Sequence, residues 1–189
     1  MRTPNNSMRA EARLEAMLLD LEEGRFRYSA YRNLTIGVWA GQATLEAVQR
    51  VARVSRQMLE AHPNGHSSVV FVLDGTPAPT PDARAAFATV LDARTTDLSC
   101  TAIVVEGQGF WASGIRSAIT NMRIAAAGTV MLRMHDKIEE LLEWLPDEHF
   151  KRTGVQFDLL ELKCVLEQAR QRAANADEPP ERISWFAPD

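Results

Sequence analysis

Cysteine and histidine are scarce in this chain: two and four of them in 189 residues. Cys100 and Cys164 stand far apart, which rules out a disulfide framework and predicts reduced, buried thiols in a cytosol. His62, His66, His135 and His149 show no metal-ligand spacing. His62 and His66 are four apart, but Pro63 and Gly65 between them prevent a shared helical face. No metal and no cofactor is therefore expected. A Lys/Arg-dense face is also missing. The net charge is −4, with bases and acids interleaved, so nucleic acid is not an expected partner. No apolar stretch nears the roughly 20 residues of a membrane span. The segment 1–7 is polar and lacks an apolar signal core, which predicts a cytoplasmic location.

What is present fits one folded domain with extensions: 46% apolar and 24% charged residues leave little room for wholesale disorder. Two short apolar runs carry the architecture. Ser68-Val69-Val70-Phe71-Val72-Leu73 stops at Asp74-Gly75, and Thr101-Ala102-Ile103-Val104-Val105 stops at Glu106-Gly107. Such β-branched runs bounded by turns read as strands buried on both faces. A helix opening at Thr80-Pro81-Asp82 separates them, so the unit is βαβ and the sheet parallel. Upstream, 25–31 and 34–39 read as a hairpin turning at Asn33, and Thr44 caps a helix to about His62 with Leu45, Val48, Ala52, Ser55 and Leu59 as its stripe. Downstream come a helix over 110–126, a strand over 129–134, and a helix capped by Asp136 that Pro146 ends. The fold class is α/β: a small, mostly parallel sheet of about five strands, the first antiparallel, covered by helices. The expected organisation is an N-terminal helical extension at 1–24, an α/β domain at 25–146, and a C-terminal helix and tail at 147–189. Apolar stripes on the added helices suggest sheet covering or a homodimer seam.

This order resembles that of the STAS domain, the fold of anti-sigma-factor antagonists, especially its SpoIIAA-like, STAS/SEC14-type branch. The residues that carry the resemblance are Leu34-Thr35-Ile36-Gly37-Val38-Trp39 with its Gly41 exit, Val69 to Leu73 ending at Asp74, and Met131 to Asp136 followed by a helix closing on Trp144-Leu145. The resemblance implies a non-enzymatic regulatory or assembly protein that acts through contact with another protein. It also implies an alternative, a module holding a lipid or a nucleotide in an apolar pocket. Regulated members carry paired hydroxyls after the central strand. Here that region is Asp74-Gly75-Thr76-Pro77-Ala78-Pro79-Thr80, so only Thr76 and Thr80 are candidates for phosphorylation.

The strand exits are the expected working surface of a parallel sheet. Asp74, Thr76, Thr80, Phe110 and Trp111 are the candidate partner-binding residues. Thr80 also suits an N-cap. The run Gly107-Gln108-Gly109 before a helix has neither the third glycine of a dinucleotide fingerprint nor the lysine of a P-loop. Ser113 and Cys100 have no base placed beside them by sequence, so no catalytic residue is assigned.

Overall fold

The computed structural model describes residues 26–93, 98–125 and 131–175. The expected N-terminal helix and the apolar residues Ile183, Trp185 and Phe186 lie outside the described residues. Five strands form one sheet in the order β1-β2-β3-β4-β5. They are β1 (Phe26–Tyr31), β2 (Leu34–Trp39), β3 (His66–Val72), β4 (Leu98–Val105) and β5 (Leu132–His135). The hairpin β1–β2 is antiparallel, and β2, β3, β4 and β5 run parallel. A two-residue turn joins the hairpin. Arg32 takes a left-handed φ of 52°, and the Asn33 side chain donates to the Gly65 carbonyl at 3.3 Å.

Three crossover helices join the parallel strands: α1 (Leu45–Ala61), α2 (Pro81–Ala93) and α3 (Gly109–Ala125). Each crossover steps to the next strand in one direction, so crossovers of one hand put all three helices on one face of the sheet. The helices α4 (Ile138–Thr153) and α5 (Leu159–Ala174) cover the other face, packing Leu141, Leu145, Leu162, Val165 and Leu166 against Ile36, Val38, Val69, Phe71 and Val104. Alternation along each strand divides the side chains between these two cores. Because strand order never reverses, the sheet has no topological switch point to open a crevice at its exits.

Several local expectations need correction. Helix α4 runs through Pro146 to Thr153, so Pro146 does not end it. Leu141, Leu145 and His149 form one buried stripe at four-residue spacing, and its burial outweighs the hydrogen bond that proline cannot make. Gly154 ends the helix in the left-handed region at φ 72°. Asp136 is not the cap: Lys137 occupies that position, and Asp136 pairs with Arg116 at 2.6 Å. The stripe of α1 is rotated to Ala47, Val48, Val54, Ser55 and Met58, leaving Leu45 exposed. Cys100 is buried as expected, but Cys164 is exposed on α5.

Candidate functional site

The strand exits gather most of the expected residues into one lip. Leu73 to Thr76 make a turn closed by the Thr76 amide donating to the Leu73 carbonyl at 3.1 Å, with Gly75 at φ 76°. Gly107 approaches the same turn at φ 85°. A Cβ on Gly107 would lie 2.2 Å from Asp74 Oδ1 and 3.2 Å from the Trp111 ring, so this glycine makes room for both. The Trp111 indole N–H donates to the Thr76 carbonyl at 2.8 Å, and the Thr76 hydroxyl donates to the Trp39 carbonyl at 2.9 Å. Thr80 caps α2 by accepting from the Ala83 amide at 3.2 Å. Its own amide donates to the Ala43 carbonyl, tying the β3–α2 loop to the β2–α1 loop.

The five candidates thus differ in what they present. Asp74 is exposed and has no ion pair among the described residues. Phe110, on the first turn of α3, is 100% exposed. Trp111 is half-buried against the α3 side of the core, with its N–H committed, so it braces the lip. Thr76 is buried and its hydroxyl is engaged, so a modifying enzyme has no access to it in this fold. Thr80 is half-buried at the N-terminus of α2.

Sequence reasoning missed how the remaining lip charges are cancelled. Arg170 of α5 reaches Glu106 with two guanidinium contacts, one of them 2.9 Å. Arg116 of α3 holds Asp136 and also donates to the Val105 carbonyl at 3.1 Å. His135, at the end of β5, is buried beside Trp144, and that burial, with Arg133 nearby, lowers its pKa and favours the neutral ring. Among the described residues the turn at the end of β3 thus presents Asp74 without an ion pair, and the start of α3 presents the exposed Phe110 ring.

No family model matches the chain, and no curated protein is similar to it. A solved structure is. It is an uncharacterized DUF3478-family protein from Shewanella loihica PV-4, described as having a SpoIIAA-like fold, with 13% identity over 68% of this chain and 98% of that chain and a TM-score of 0.44. Likeness at that level leaves the architecture to rest on the strand order and pairing given above.

A buried polar chain lies at the opposite end of the sheet. The His149 Nδ1 is 2.7 Å from the Ser67 hydroxyl, and Ser67 is 3.1 Å from the Cys100 sulfur. His149 Nε2 is 3.0 Å from Asn33 Oδ1. Since the Asn33 amide nitrogen faces the Gly65 carbonyl, its oxygen must accept, which puts the His149 proton on Nε2. Nδ1 then accepts from Ser67, and Ser67 accepts from the Cys100 thiol. These residue types resemble a nucleophile, base and orienting group, but all four are buried, and none lines the cavity between the sheet and α2 and α3. Burial pushes the Cys100 thiol up to about 11, so it stays protonated.

Burial also lowers His149 to about 4 from its ordinary 6.5. The unfolded chain therefore takes up a proton below 6.5 that the folded chain refuses until about 4. Stability is full above pH 6.5 and falls as the pH drops through that window, by about 3 kcal/mol for this group. His135 acts in the same sense. Urea unfolding at pH 7 and at pH 4.5 should show the loss. A His149→Gln variant should show a smaller one; an equal loss in that variant would assign the acid sensitivity elsewhere.

Among the described residues no group of three or more His, Cys, Asp or Glu is placed to hold a metal, and no helix is long and apolar enough to cross a membrane.

Proposed function

We propose that the protein is a non-catalytic binding module that docks another protein through this lip, with Phe110 as the anchor. Full exposure of Phe110 is the observation that carries the reading. An aromatic ring wholly in water beside neutralised charges matches the make-up of interface centres, where aromatics are enriched and charges depleted. Pro77 and Ala78 extend the uncharged surface, and Asp74 offers one acceptor at its edge. Regulation by phosphorylation would act at Thr80. A phosphate there sits on a helix N-terminus, which favours it, while Asp82 opposes it. A second copy of the chain is the competing occupant of the same surface.

Capture from lysate of the source organism tests this with three baits. Wild type and Ile124→Ser, altered at an exposed apolar residue on the last turn of α3, should retain the same protein. Phe110→Ser should lose it. Sedimentation of the purified chain distinguishes the self-pair, which Phe110→Ser would dissociate. Identical captured sets and identical sedimentation for all three proteins would remove the lip from the account.

A further inference from the structure

Between the sheet and the crossover helices lies a cavity of about 140 Å³. Its origin is readable in the strands. The covered positions on the α4–α5 side are large: Leu34, Ile36, Val69 and Phe71. The alternating positions on this side include Ser68, Val70 and Thr101, which leave space beneath α2 and α3, while Gly37 is covered by the Phe26 and Tyr28 rings. Phe87, Val90, Ile115 and Met122 form the helical wall, and Pro77 and Pro79 bring the cavity up to the β3–α2 loop. An apolar cavity of about 150 Å³ elsewhere stays dry and accepts benzene, so this volume suits a ring-sized guest.

Its lining is almost wholly apolar, but two hydroxyl-bearing residues stand on its floor. Thr101 is 5% exposed, and its Oγ1 is buried without a hydrogen-bond partner among the described residues. A buried hydroxyl left unmade is unfavourable, and valine would fill the same place without that penalty. Ser68, directly across the β3–β4 ladder from Thr101, lines the same floor. Of the other hydroxyls on the wall, Tyr28 and Ser55 face each other at 3.0 Å, and Thr76 donates to the Trp39 carbonyl.

We propose that this cavity is a binding site for a small, largely apolar molecule of about one ring, carrying a single hydrogen-bonding group that meets the Thr101 hydroxyl. The ring lies between Val70 on the sheet and Phe87, Val90, Ile115 and Met122 on the helices, and its polar atom meets the Thr101 hydroxyl, beside Ser68, once that side chain turns from its buried rotamer toward the cavity. The site is separate from Phe110 and does not depend on the docking role of the lip.

The test uses two probes of nearly equal shape, p-cresol and p-xylene, titrated calorimetrically into the full chain. Both bind wild type. Thr101→Val weakens p-cresol roughly five- to tenfold, the effect of one hydrogen bond, and leaves p-xylene unchanged or tighter. Val70→Phe fills the space and abolishes both. Phe110→Ser changes neither affinity, so this site and the lip fail separately. Equal effects of Thr101→Val on the two probes would overturn the proposal, as would no binding of either to wild type. So would probe binding that survives Val70→Phe. Should Val70→Phe not fold, the Thr101→Val comparison decides alone.

Discussion

Replacing His149 with alanine should lower the unfolding free energy by about 3–5 kcal/mol, the range expected for a large buried side chain with polar partners. The ring is fully enclosed, stacks on Phe157 at 4.4 Å, and ties α4 to the β1–β2 turn through Asn33 and to the start of β3 through Ser67. Its loss leaves a void and two buried polar groups without their partner. Leucine at 149 should not rescue the fold, because it fills the void but strands the same hydroxyl and carboxamide. Leucine at 149 combined with Ser67→Ala should recover part of the loss, since removing both partners is far less costly than removing one. Urea denaturation followed by circular dichroism measures each step. A loss under about 1 kcal/mol for His149→Ala would mean that the polar chain contributes little to the fold.

Pro146→Ala should change stability in the opposite direction. Proline inside a helix costs about 3 kcal/mol relative to alanine. Its stiffening of the unfolded chain returns about 0.4–1 kcal/mol of that. The net expectation is a gain of about 2 kcal/mol, because residues on both sides of Pro146 are already helical and Leu141, Leu145 and His149 already share one buried face. The same denaturation experiment reads it as a higher midpoint. An unchanged or lower midpoint would show that the proline at 146 helps place His149 against Ser67 and Asn33.

These two residues also mark where the sequence was hard to read. The strands read at 34–39, 68–73 and 101–105 stand out because β-branched runs and turn residues are local signals, although β3 and β4 begin earlier, at His66 and Leu98; Thr80 stands out likewise as a cap. Pro146 is a local stop signal overruled by a tertiary one. With the helix ended at Pro146, His149 loses its four-residue spacing to Leu145, and its buried role disappears from view. Leu45 misled in the same way: an apolar residue at the first turn of α1 counts toward a stripe whose true centre depends on where the sheet lies. At the lip, Asp74 and Phe110 were legible as exit residues. The bracing of Trp111 on Thr76, and the neutralising of Glu106 and Asp136 by Arg170 and Arg116, span 20 or more residues and leave no local pattern. The cavity is harder still, since it is defined by what is small at Ser68, Val70 and Thr101 on strands whose other face is bulky.

The lip and the cavity share one loop. Thr76, Pro77 and Pro79 line the cavity, while the Thr76 carbonyl holds Trp111 next to Phe110. Both surfaces therefore depend on the turn that Gly75 and Gly107 allow, and on nothing in the polar chain at the far end of the sheet.

The most direct test of the docking lip is photocrosslinking in cells of the source organism, with p-benzoylphenylalanine placed singly at position 110 and at position 124. Both side chains are exposed, and only the first belongs to the lip. The account predicts one discrete protein adduct from position 110 and none from position 124. The same adducts from both positions, or none from position 110, would contradict it.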